Sequence, residues 1–208
     1  MTESEWLTCT DPVPMFDFIK GRATARKLRM FGMACWRKAW DLLDEPSRAY
    51  VVMAERYADG EASREQLAQA RRKASGANLI SAITVAWRTA EGTSGWASMV
   101  PLPELARSGL WGEATSAERI FSDFLHDLFG PLPFRPVSLD PSVLRWNDGV
   151  VVRLAQALYD DRRFWDLPVL GDCLEEAGCT DPEVLEHCRS GGDHVRGCWA
   201  VDLVLGRG

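Results

Sequence analysis

Helix start and stop signals recur along most of this chain, and this punctuation constrains its fold more than any single periodic run. Thr2 with Glu5 forms a capping box ahead of Trp6 and Leu7, and Asp11-Pro12 places a cap and a first-turn proline ahead of Met15, Phe16 and Ile19. Thr24 opens a helix running to about Leu43, with Leu28, Phe31, Cys35, Ala39 and Leu42 at spacings of three and four on a core face. Pro46 starts a helix that closes at Gly60, and Ser63 with Gln66 caps the next. In the second half, Thr115 with Glu118 opens a helix stopped by Gly130 and Pro131, and Asp140-Pro141 starts a short one ending at the turn Asn147-Asp148-Gly149. Helical spacing then resumes at Val150, Leu154, Ala157 and Leu158. Leu167 to Ala177 ends at Gly178, Thr180 with Pro182 begins another helix, and Cys198 to Leu205 ends at Gly206.

Val150-Val-Val is the one segment with strand propensity, and its helical surroundings outweigh it. The expected fold is therefore all-α, an irregular bundle of about nine or ten helices. We read it as a single helical domain over 1–208, two-lobed, with lobes at 1–90 and 114–208. The join, 91–113, carries Gly92, Gly95, Pro101, Pro103, Gly109 and Gly112, which interrupt every periodic run, and its Trp96 and Trp111 suit a loop packed on the body.

A chain of 208 residues, 46% hydrophobic and 26% charged, is an ordinary globular one, and its net charge of -6 argues against coating nucleic acid by bulk electrostatics. The least charged stretch, Ala74 to Ala90, is shorter than the roughly 20 apolar residues of a membrane span and reads as a buried helix over 76–90. The acidic start lacks the features of a secretory signal, so the expected compartment is the cytoplasm, with the six cysteines reduced and no membrane association.

Chemistry concentrates near the C-terminus. From Cys173 onward the chain holds four of its six cysteines and two of its three histidines: Cys173, Cys179, His187, Cys188, His194 and Cys198. His194 and Cys198 are four apart, so a helix beginning by His194 would turn both toward one tetrahedral ion such as zinc, with Cys179 and His187 or Cys188 completing the set. Against this, no Cys-x-x-Cys knuckle is present, and adjacent His187 and Cys188 point about 100° apart on a helix. The plainer reading makes the cysteines small buried hydrophobes.

A second constellation runs from Lys20 to Trp40, where seven Lys and Arg occur with no acidic residue between Asp17 and Asp41. At 100° per residue, Arg22, Arg26, Arg29 and Arg37 fall opposite the core stripe, with Met33 and Trp40 on their side. Such a face suits an acidic protein partner or, through phosphate contacts and stacking, a nucleic acid; alternatively the arginines lie over the tryptophan and meet the chain's own carboxylates. A third set, Trp146 to Gly149 with Asp160, Asp161, Arg162 and Arg163, reads as a turn and a solvated helix end, and His126 as a half-buried structural residue. No phosphate-binding glycine loop, His-Glu-x-x-His or Gly-x-Ser-x-Gly string occurs, so the expectation leans away from an enzyme.

Several stretches resemble a family of uncharacterised planctomycete proteins that occur as many paralogues per genome. They are Glu5-Trp-Leu-Thr-Cys-Thr-Asp-Pro with Pro14-Met, Arg26-Lys-Leu-Arg-Met-Phe with Ala34-Cys, and Ala54-Glu-Arg-Tyr-Ala-Asp-Gly. Further along come Phe129-Gly with Pro133-Phe-Arg-Pro, Leu154-Ala-Gln-Ala-Leu-Tyr-Asp-Asp-Arg, Glu175-Glu-Ala-Gly-Cys, His187-Cys-Arg, and His194-Val-Arg-Gly-Cys-Trp-Ala-Val-Asp-Leu. The family often has two cysteines where this chain has Cys35-Trp36. The resemblance implies no activity or ligand, only that the terminal motifs belong to one recurring unit, and paralogue expansion suits a noncatalytic interaction or regulatory module. That module is the first expectation; a metal-binding or thiol-dependent protein using the late Cys/His cluster is the second, and nucleic-acid binding through residues 20–40 the third.

Overall fold

The computed structural model describes residues 1–74 and 114–207. Within them the chain is all-α, with ten α-helices, two short 3-10 turns and no strand. The helix expected over 76–90 and the loop expected over 91–113, with Trp96 and Trp111, lie outside the described residues. No helix among those described is long and apolar enough to cross a membrane. Two compact units divide the chain, Met1–Leu125 and His126–Gly208.

In the first unit the caps act as the sequence foretells. Thr2 and Glu5 exchange both capping-box hydrogen bonds at the head of α1 (Glu3–Thr8), and Asp11 accepts from the Val13 amide to open α2 (Pro12–Ile19). Thr24 caps α3 (Ala25–Lys38), which ends about five residues earlier than the expected stop near Leu43 and gives way to a 3-10 turn at Trp40–Leu42. The helix expected to start at Pro46 begins one residue earlier, as α4 (Glu45–Ala58) capped by Asp44, a cap that sequence reasoning left unnamed, and Ser63 with Gln66 forms the capping box of α5 (Arg64–Ala74).

One feature of α3 departs from the expected single stripe. Leu28, Phe31, Cys35 and Ala39 are buried as foreseen, but so are Lys27, Met30, Met33 and Trp36. Helical spacing assumes one neighbour, whereas α3 has several: Phe31 meets Phe16 of α2 and Phe121, while Met33 and Trp36 join a cluster with Tyr50, Val51 and Ala54 of α4.

The second unit begins within α6 (Ala114–Phe129), which Gly130 terminates in the left-handed region (φ 48). Asp140 caps α7 (Pro141–Asp160), whose hydrogen-bonded run is broken at Trp146–Gly149, with Asn147, Asp148 and Gly149 all at positive φ, as the Asn-Asp-Gly turn foretells. Val150 to Val152 are helical. A 3-10 turn (Phe164–Asp166) leads into α8 (Leu167–Glu176), followed by α9 (Pro182–Arg189) and α10 (Trp199–Leu205). The cap of α9 is Asp181, which accepts from the Glu183 and Val184 amides, and not Thr180 one residue earlier: a carboxylate directly ahead of proline reaches the N2 and N3 amides. Val151, Ala155, Leu158, Leu170, Leu174, Val184, Trp199, Val201 and Val204 form one continuous core across α7 to α10. This core fixes the end of α9 and the start of α10, the segments that carry the late histidines and Cys198.

Candidate metal centre

Four side chains of the second unit point at one spot: Asp127 in the last turn of α6, His187 in the last turn of α9, His194 in the connection after it, and Cys198 immediately before α10. One donor atom from each lies within 4.8 Å of all the others. His187 Nε2 is 3.1 Å from Cys198 Sγ and 3.2 Å from Asp127 Oδ1, and that same oxygen is 2.6 Å from His194 Nδ1. Cys198 is fully buried, the side chains of Asp127 and His194 are 5% exposed, and that of His187 is 17% exposed.

The local chain explains each placement. Asp181 and Pro182 set the phase of α9 so that Val184, Leu185 and Cys188 face the core, which leaves His187, three residues after Val184, at the core's edge. Helix α9 ends at Ser190, whose carbonyl accepts a hydrogen bond from His194 Nε2 at 3.2 Å. Both partners of the ring accept, so Nε2 donates to the Ser190 carbonyl and Nδ1 donates to Asp127, and Nδ1 is the nitrogen free to give up its proton to an ion. The last helix, α10, runs from Trp199 with Cys198 as its cap, as the reading of Cys198 to Leu205 expects, so the condition of a helix beginning by His194 is not met; Gly197, at φ 93, makes a turn in which the Cys198 amide donates to the Val195 carbonyl. His194 and Cys198 therefore meet through a tight turn and not along one helix face. The Val195 amide donates to Asp127 Oδ2 at 2.8 Å, fixing the second carboxylate oxygen while Oδ1 faces the histidines.

The electrostatics follow from burial. Desolvation alone would raise the Asp127 carboxyl, yet hydrogen bonds and charge from His187 and His194 hold it well below the usual carboxylate range. Desolvation alone would lower His194, but Asp127 raises it. Burial first, and then the Asp127 charge, push the Cys198 thiol well above its ordinary value, while the amides of Val201 and Ala200 favour the thiolate.

Of the five residues that the sequence nominates as ligands, the structure brings together His187, His194 and Cys198. Cys179 and Cys188 sit in the core of the second unit, 5% and 0% exposed. The angular argument separating His187 from Cys188 holds: one faces the centre and the other faces inward, its thiol pushed up to about 12 chiefly by burial. Asp127 is the donor that sequence reasoning missed. The signal was a carboxylate in the last turn of a helix, between His126 and the apolar Leu128 and Phe129, where the helix macrodipole disfavours negative charge.

The arginine face lies elsewhere and is engaged within the chain. Arg37 makes two hydrogen bonds to the buried Glu55 carboxylate at 3.0 and 2.7 Å, and its guanidinium lies 4.0 Å over Trp40. Arg26 bridges to Asp59, whose side chain is fully buried, Arg29 stacks on Tyr57, and Arg22 lies over Phe18. The contacts of Arg26, Arg29 and Arg37 lie along the seam between α3 and α4, with Asp59 just beyond the end of α4. The third polar set supplies a turn and a helix end: Asn147 and Asp148 are exposed, Asp160 accepts from Gln156, and Arg163 pairs with Asp166. Half-buried His126 is outside the centre.

No protein-family model, curated protein or solved structure matches this chain, so the planctomycete resemblance rests on its motifs alone.

Proposed function

We propose that the protein holds a divalent ion of the zinc class between Asp127, His187, His194 and Cys198, and that the ion is structural. The observation that carries this reading is the double approach to one atom: Cys198 Sγ and Asp127 Oδ1 both address His187 Nε2. In a nucleophile relay the histidine uses one ring nitrogen for the nucleophile and the other for the carboxylate. Two partners on one nitrogen are instead what donors look like when they face a shared centre. A tetrahedral zinc site separates its donor atoms by about 3.3 to 3.6 Å, given metal–donor lengths of about 2.0 to 2.3 Å. Three donor pairs, at 2.6 to 3.2 Å, fall inside that spacing and the widest separation in the set, up to 4.8 Å, exceeds it, so an ion would spread the close pairs and draw in the distant ones.

Charge supports a divalent ion. One carboxylate, one thiolate and two neutral imidazoles carry two negative charges, which a dication cancels, and a buried site needs that balance. The thiolate and imidazoles suit zinc over magnesium or calcium, which prefer oxygen. Four protein donors with little exposure leave no open position for substrate, which supports a structural role over a catalytic one. The arginine face does not favour an acidic partner or a nucleic acid, because Arg26 and Arg37 already meet buried carboxylates of their own chain. All six cysteines are free thiols, which supports a reducing, cytoplasm-like compartment.

Elemental analysis of protein purified without chelator tests the proposal, with about one zinc per chain expected. Stripped protein given cobalt should develop intense visible bands of a tetrahedral, thiolate-bound ion. A chain that takes up neither metal at micromolar concentration removes the reading.

A further inference from the structure

Resting on the metal reading above, we infer that Trp199 is the positioning residue of the centre and that Gly130 is what allows it to sit there. Trp199 follows Cys198 directly, opens α10 and is 2% exposed. Its ring packs on that of His187, with centroids 5.0 Å apart. The ring also lies against Gly130, three residues after Asp127. A methyl group added at Gly130 would come within 2.5 Å of the indole Nε1, 2.6 Å of Cδ1 and 2.7 Å of Cε2. No side chain larger than hydrogen leaves room for the ring in this position.

One rigid indole is thus joined by the backbone to Cys198, packed at a 50° tilt against His187 and seated against the helix end that carries Asp127. Three of the four donors take their position from it. His194 is held by the Ser190 carbonyl, by Asp127 and by an edge-on contact with the His187 ring, centroids 4.9 Å apart. Gly130 has two roles: at φ 48 it ends α6 just beyond Asp127, its amide donating to the His126 carbonyl at 2.8 Å, and its missing side chain admits the indole. Donor sets bind tightly only when neighbouring groups hold them within fractions of an ångström, and losing such a support typically weakens metal affinity about 10- to 100-fold.

The test compares zinc affinity by chelator competition, and the cobalt spectrum, in full-length wild type, Gly130→Ala, Trp199→Phe and Leu158→Ala. Leu158 is a fully buried core residue on α7, which supplies no donor. The inference expects Gly130→Ala and Trp199→Phe to weaken zinc by about tenfold or more and to shift the cobalt bands, with helical content retained. Leu158→Ala should melt earlier yet bind zinc as wild type does. Wild-type affinity and spectrum in folded Trp199→Phe would make Trp199 a core residue only and overturn the inference while leaving the metal reading intact. Should Gly130→Ala not fold, Trp199→Phe decides by itself. Equal weakening in Leu158→Ala would also overturn the inference, since affinity would then follow stability. Failure of wild type to bind either metal removes the metal reading itself, and this inference with it.

Discussion

Asp127 carries its charge in the last turn of a helix, almost wholly buried, where both dipole and desolvation work against it. What offsets this is the pair of imidazoles and the Val195 amide. Asp127→Asn keeps the shape and removes the charge, so the zinc site would hold one net positive charge in the interior. Losing one partner of a buried charged set costs on the order of 3–5 kcal/mol, which corresponds to roughly a hundredfold to several thousandfold weaker zinc binding. Chelator competition measures it, and wild-type affinity in a folded Asp127→Asn protein would exclude Asp127 as a ligand. The pH dependence has a definite sign. Zinc must displace the proton of Cys198, whose thiol is raised by burial, and the proton that Asp127 helps His194 retain. Both shifts extend proton competition to higher pH, so affinity rises with pH. Its logarithm should climb by about two per pH unit below the raised His194 value and by about one above it. A pH-independent affinity between pH 6 and 8 would contradict thiolate ligation.

At the scale of elements, α3 and α4 are joined by an apolar seam with charged groups set into it. Glu55 is 2% exposed and takes the Arg37 fork through both oxygens, while the same guanidinium lies over the Trp40 ring. Arg37→Ala deprives a buried carboxylate of its bidentate partner. Because the Arg37 side chain is 24% exposed, the cost should fall below the range for fully buried pairs, at about 2 kcal/mol by urea denaturation. A change under about 0.5 kcal/mol would show that solvent replaces the guanidinium without loss. The double replacement Arg37→Met with Glu55→Gln should cost less than Arg37→Ala, since it removes the buried charge along with its partner.

At the scale of the whole molecule, the metal centre belongs to the second unit, and so should the effect of losing the metal. Binding at 1,000 times Kd stabilises a folded unit by about 4 kcal/mol. Removing zinc with a chelator should therefore lower the melting of His126–Gly208 and release amide protection at Val195, Cys198 and Asp202. Protection within α3 and α4 should persist. Hydrogen exchange followed by mass spectrometry resolves the two units, and equal loss in both, or none in either, would contradict a metal confined to the second.

The helices were legible in the chain because their signals are local. A cap and the amides it satisfies lie within three residues, and a left-handed stop such as Gly130 or Gly206 adjoins the helix it ends. The clustering of His187, His194 and Cys198 was legible too, since all three fall within twelve positions. Tertiary structure alone decided the rest. Asp127 enters the centre from 60 residues before His187, Cys179 and Cys188 are drawn into the core, and the arginines of α3 meet carboxylates of α4 and Asp59 just beyond its end. Spacing along a helix fixes the direction of a side chain about its own axis. What it meets in that direction depends on which other segment folds against it, and that is settled by packing the whole core.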